Sequence, residues 1–86
     1  MKTTISCDVH DYFEIVCMRK SQITITLHSE KTISGEASDI ILNQEKQECL
    51  QMRENNVLHL IPLTEIKLLH AHNNPISAHN FQVKIT

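Results

Sequence analysis

The sequence predicts a mainly β protein, a small antiparallel β-barrel of five or six strands with one α-helix at its N-terminal end. Three observations predict it. Residues 22–28 alternate apolar and polar without a break, with Ile23, Ile25 and Leu27 on one side. Further short segments of strand character follow at near-regular spacing, divided by polar turns. Ahead of them, residues 8–18 hold no Gly or Pro and repeat with a helical period instead.

Size sets the frame. A chain of 86 residues is one domain by length, with the helix at about 8–18, the barrel at about 22–70 and a tail strand at about 80–85. A domain this small buries a modest core and has little room for a deep catalytic cleft. Apolar residues make up 41%, as in globular domains, while Tyr12, Phe13 and Phe81 are the only aromatics. The core is therefore expected to be built from Ile, Leu and Val.

Taken in order, the helix comes first. At about 100° per residue, Val9, Tyr12, Phe13, Val16 and Cys17 share one face, and Asp8, Asp11 and Glu14 the opposite one. Asp8 is placed to cap the helix. Early acids suit its positive start, and Arg19 and Lys20 suit its end. After the strand at 22–28, a polar turn at 29–31 leads into a longer strand at 32–42. Gly35, the only glycine, sits inside that strand beside Ala37 and Ser38. An internal glycine marks a bulge, a bend or a close backbone approach, and small barrels need such a bend to close. Residues 43–47 are a polar loop. A third strand at 48–53, a hairpin turn at 54–56 and a fourth strand at 57–61 follow. Pro62 breaks the pattern, and residues 63–70 hold a turn and a fifth strand. Residues 71–79 read as a loose connection. Phe81, Val83 and Ile85 alternate in a last strand that closes an edge. An OB barrel would place a helix between its third and fourth strands, and none is visible here.

Composition excludes several functions. A net charge of −2 argues against binding nucleic acid by bulk electrostatics. Cys7, Cys17 and Cys49 form no even framework and no CxxC, so they read as reduced thiols of a cytoplasmic protein. No long apolar run suggests a signal peptide or membrane span. Cys7, His10, Asp11 and Cys17 are not a standard zinc set, and the wheel puts Cys17 on the buried face. His70, His72 and His79 cluster near the tail, where a solvated loop explains them better than a metal site. No Ser/His/Asp set, nucleophile elbow or Gly-rich phosphate loop occurs, so no enzyme and no cofactor is expected.

Residues 7–17 carry a more specific signal. Cys7, Asp8, Asp11, Glu14 and Cys17 match the pattern C-D-x-x-D-x-x-E-x-x-C that opens members of the Rho-binding antiterminator (Rof) family. Residues 35–39 resemble that family's A-x-A-S-D stretch, with Gly35 in place of the first small residue. Residues 48–50 and 60–66 fit its later strands. The resemblance spans roughly residues 5–70, and nothing is carried over to the tail. It implies an Sm-like barrel behind the N-terminal helix. It also implies a partner, the transcription termination factor Rho, bound near its primary RNA-binding sites so that RNA loading and termination are blocked. In the family, the acidic helix and a loop between later strands make the contact. By position these are Asp8, Asp11 and Glu14, and the loop residues Asn43, Gln44, Glu45, Lys46 and Gln47. Val9 stands where many members have a second acid.

The chemistry is consistent with that implication. An RNA-binding site is a basic groove with stacking platforms, and carboxylates can occupy the positions of phosphates within it. Ile15 falls between Asp8 and Asp11 on the wheel, as an apolar anchor amid the charges. Two other readings stand beside this one. An Sm-like RNA-binding module would need a basic patch, whereas Arg19, Lys20, Lys31, Lys46, Arg53, Lys67 and Lys84 are scattered. A structural interaction domain with another partner would share the fold, because fold does not dictate function. The expectation is a protein that is a monomer when free, engages Rho, and touches neither nucleic acid nor membrane directly.

Overall fold

The alternation of Ile23 and Ile25 with threonines yields a strand, and the strands after it pair into one sheet. The computed structural model describes residues 7–85, with side chains from Val9 onward. Helix α1 spans Cys7–Arg19. Strands β1 (Gln22–Leu27), β2 (Thr32–Leu42), β3 (Glu48–Glu54), β4 (Val57–Pro62), β5 (Ile66–Ala71) and β6 (Phe81–Lys84) follow, with 3₁₀ turns at Leu63–Glu65 and Ser77–His79. All neighbours run antiparallel, in the order β4-β3-β2-β1-β5-β6. The end strands β4 and β6 form no ladder with each other among the described residues. The expected barrel is thus one wrapped sheet with an open seam.

Strand β2 does most of the wrapping. Its first half pairs with β1, from Thr32 to Glu36, and its second half with β3, from Glu36 to Leu42. Gly35 sits at the change of partner. A Cβ there would lie 2.5 Å from the carbonyl oxygen of Arg53, so only glycine lets the two backbones approach. The irregularity itself falls later. Ala37 faces Met52 and Asp39 faces Gln51, which leaves Ser38 as an extra, bulged residue. A second register shift, between Thr26 and Leu27, lies where β1 meets β5. The bend expected at Gly35 is therefore divided between a close approach and a bulge.

The core lies inside the wrap. Phe13 and Val16 of α1 are fully buried with Ile25, Ala37, Leu50, Met52, Ile66 and Leu69. Helix α1 packs chiefly on β2. It stops in a Schellman pattern: the Lys20 N–H donates to the Cys17 carbonyl at 3.2 Å and the Ser21 N–H to that of Val16 at 2.9 Å. Lys20 takes the left-handed conformation this requires, with φ 51°. The Ser21 carbonyl then accepts the Ala37 N–H at 2.9 Å, which fastens the helix end to β2.

The turns obey their local chemistry. Asn55 and Asn56 both have positive φ, 49° and 69°, as a two-residue hairpin of the primed type demands. The connection after β5 is more structured than a loose loop. Asn74 Oδ1 accepts the Gln22 N–H at 2.8 Å, and Asn80 Oδ1 accepts the Asn74 N–H at 2.9 Å. Side-chain amides here take the place of a ladder, a feature with no periodicity to reveal it. The outer edge of the sheet is apolar: Val57, Leu58 and Leu60 of β4 are exposed. No helix among the described residues is long and apolar enough to cross a membrane.

Candidate functional site

The helical period carries Asp11 and Glu14 to the outside of α1, where both are exposed. Asp8, the third candidate acid of the helix, has its side chain outside the described residues. Ile15 is half-buried, so less of it is open than the wheel implies. The exposed apolar side chain on this part of the helix is Met18, at 80%.

Glu14 does not stand alone. Together with His10, Cys17 and Met18 it forms one wall of an open groove of about 390 Å³, with Ser38, Asp39, Ile40 and Glu48 opposite. Three carboxylates from three elements converge there: Glu14 from α1, Asp39 from β2 and Glu48 from β3. Met18 and Ile40 supply apolar surface between them. The bulge at Ser38 turns Asp39 outward, and its Oδ1 accepts the Ile40 N–H at 2.8 Å. His10 spans the groove, with Nε2 at 2.8 Å from Glu48 Oε2 and Nδ1 at 3.2 Å from Glu14 Oε1. Burial, then the charge of Asp39, pushes the Cys17 thiol up to about 11, so it stays protonated and unreactive at neutral pH. Burial likewise raises the thiol of Cys49.

The loop at 43–47 adjoins the groove through Glu48. Asn43 organises it. Its Oδ1 accepts the N–H groups of Glu45 and Gln47 at 2.9 and 3.0 Å, and its Nδ2 donates to Gln47 Oε1 at 3.0 Å. Asn43 and Gln47 are thus engaged in shaping the loop, while Gln44, Glu45 and Lys46 point into solvent. The loop candidates therefore divide into solvent-facing groups and supports. Sequence reasoning missed His10, Met18, Asp39 and Glu48. The available signal was an acid, Asp39, between the small pair Ala37 and Ser38 and the apolar run Ile40 to Leu42.

Near the tail, the His70 and His72 rings lie 5.0 Å apart, but His72 is bonded to Thr24 Oγ1 at 2.6 Å and to Asn73 at 2.9 Å. His79 does not complete a set of three ligands with them.

A short acidic helix laid on one wrapped antiparallel sheet, with an open carboxylate-lined groove beside a shaped loop, makes a small helix-capped, mainly β module. The chain belongs to the ROF family, modulators of Rho-dependent transcription termination, whose sequence model matches residues 4–84. The match runs through the tail, beyond the residues 5–70 that carry the family's motifs. Among solved structures the fold is similar to YaeO bound to magnesium from Vibrio cholerae O395. The TM-score is 0.74 and the identity 24%, over 86% of this chain and 96% of that one. No curated protein matches the chain in sequence.

Magnesium binds through oxygen ligands in near-octahedral geometry. The compact set of metal-ligating side chains among the described residues is His10, Asp11 and Glu14, with ligand atoms within 4.8 Å of one another. One of the three offers nitrogen, and that histidine is already engaged by Glu14 and Glu48. Among the described residues this set therefore offers two carboxylates and one nitrogen, and is not an all-oxygen site.

Proposed function

We propose that this protein inhibits Rho-dependent termination by docking on Rho and keeping RNA from its primary binding site. The docking surface is the acidic face of α1 with the adjoining loop. Asp8, Asp11 and Glu14 are its helical part, Ile15 an apolar neighbour, and Asn43, Gln44, Glu45, Lys46 and Gln47 its loop. Asp39 and Glu48 join them. The protein acts as one cytoplasmic domain, without catalysis and without a cofactor.

The observation that carries this reading is the convergence of Glu14, Asp39 and Glu48 on one open groove, in a chain whose family modulates Rho-dependent termination. A protein surface that holds RNA presents Lys and Arg to phosphates. Carboxylates fixed on a rigid helix and sheet engage the same cations, bidentately where the partner offers Arg. Such contacts speed encounter and weaken as salt rises. Direct RNA binding by this chain has less support. Its basic residues are dispersed, and Lys67 is paired with Glu30 at 2.6 Å.

The test is Rho's affinity for RNA with and without saturating amounts of this protein. Weakened RNA binding supports the proposal. Unchanged RNA affinity overturns the mechanism, and tight binding of the isolated protein to single-stranded RNA would favour an RNA-binding module.

A further inference from the structure

The sheet ends on two edge strands, and they are built differently. Strand β6 is 4 residues long and shows Gln82 and Lys84 to solvent. Brevity and lysine guard an edge against pairing with another chain. Strand β4 has neither guard. From Val57 to Ile61 it holds no lysine, no carboxylate and no proline, and its register with β3 runs without a bulge. Val57, Leu58 and Leu60 are 55%, 54% and 46% exposed, which leaves on the order of 250 Å² of apolar surface open on each copy.

The hairpin decides which backbone groups face outward. The Asn55–Asn56 turn joins Glu54 to Val57, and a two-residue turn closes on a pair that exchanges both hydrogen bonds. By alternation Met52–His59 and Leu50–Ile61 are bonded pairs too. Leu58, Leu60 and Pro62 therefore turn their backbone groups away from β3, where no further strand pairs with them among the described residues. Pro62 has no N–H to give. The usable edge is the N–H and C=O of Leu58 and of Leu60.

From this geometry we infer that β4 pairs antiparallel with β4 of a second copy, about a two-fold axis at His59. Leu58 of each copy then faces Leu60 of the other, and every outward N–H and C=O of the two leucines is used. An axis at Leu60 would set Leu58 against Pro62 and lose a donor from each copy. An axis at Leu58 would set Leu60 against Asn56, a turn residue with φ 69°. In the favoured register the leucines of both copies share one face of the joined sheet. Arg53 and Gln51 of β3 flank them, so the row across the seam reads Arg53, Leu58, Leu60, Gln51, with no like charges opposed. On the other face Val57 meets Ile61. The two His59 rings meet at the axis, each beside Glu54 of its own chain at 3.2 Å.

A second copy fits this edge because the contact is self-complementary and closes with two chains. Head-to-tail growth would need the guarded β6 edge. Even with the flanking residues, the seam buries less than the ~1,000 Å² expected of a stable specific interface. The dimer is therefore weak, with a dissociation constant on the order of 100 μM. The monomer expected from the sequence is its dilute form. Val57, Leu58, His59 and Leu60 do not line the carboxylate groove, so pairing leaves both grooves open, and the inference does not depend on the Rho reading.

The test is sedimentation equilibrium of the full chain from about 10 μM to about 1 mM, a range that brackets the expected affinity. The average mass should climb from that of a single chain toward that of a pair. Leu58→Lys should stay a single chain throughout, with its circular dichroism spectrum intact. Register is read by cross-linking under mild oxidant, with the wild type reporting the background from the native cysteines. His59→Cys should link to its own copy, because residues facing each other at a non-bonded position lie within disulfide reach. Val57→Cys should not. A wild type that stays single at every concentration overturns the inference, as does a Leu58→Lys variant that associates like the wild type. Equal cross-linking of His59→Cys and Val57→Cys overturns the register. If the wild type stays single and Leu58→Lys weakens Rho binding instead, the edge belongs to Rho and the inference falls.

Discussion

Helix α1 buries Phe13 and Val16 completely on one side and leaves Asp11, Glu14 and Met18 in solvent on the other. The inner side is held by shape: each of its residues touches several core partners at close-packed density, so a change in volume is felt throughout. The outer side is only loosely held: Glu14 meets His10 at 3.2 Å, and Asp11 and Met18 stay exposed. On the proposed docking surface, stability and docking fall on opposite faces of the same three turns, so the two should be separable by mutation.

The largest effect expected from breaking that separation is at Phe13. Phe13→Ala should destabilise the protein by about 3–5 kcal/mol, read from chemical denaturation, because it empties a fully buried ring site beneath the helix. A loss under about 1 kcal/mol would mean that α1 is not anchored as described. Next is Gly35→Ala on the sheet that carries the helix. Its new Cβ would press on the Arg53 carbonyl, costing about 1–3 kcal/mol with α1 unchanged in sequence. A neutral outcome would show that β2 and β3 can separate at their change of partner. The smallest effect on stability belongs to the outer side. Asp11→Lys should shift stability by no more than about 0.5 kcal/mol and leave the circular dichroism spectrum intact. Its affinity for Rho should nevertheless fall roughly tenfold. Equal Rho binding by this variant would remove the helix from the interface.

Much of this architecture was legible in the sequence because it repeats. The alternation around Ile23 and Ile25, the helical spacing of Phe13, Val16 and Cys17, and the Asn55–Asn56 turn each have a short period or a local preference that reads directly from the chain. The limits of β2 fall where the pattern placed them, at Thr32 and Leu42. The groove had no such signature. Glu14, Asp39 and Glu48 are brought together only by the packing of α1 on β2 and the pairing of β2 with β3, so no local pattern joins them. The exposed groups of the loop could be named, but not the role of Asn43 in shaping it. Ile15 and Met18 show the finer limit, since neighbouring chain and not angle alone decides how much of a helical side chain is open.

The bulged Ser38 resembles a frameshift written in three dimensions. In a strict two-residue strand Ala37 and Asp39 would share a face, and a wall that buries the first would bury the second. The unpaired residue resets the count, so that Ala37 points to the core opposite Met52 and Asp39 to solvent opposite Gln51. Every position downstream, through Ile40 to the start of the loop, is read in the shifted frame. Lengthening or shortening this segment by one residue would therefore change which side chains downstream face solvent, even where the letters themselves are the same.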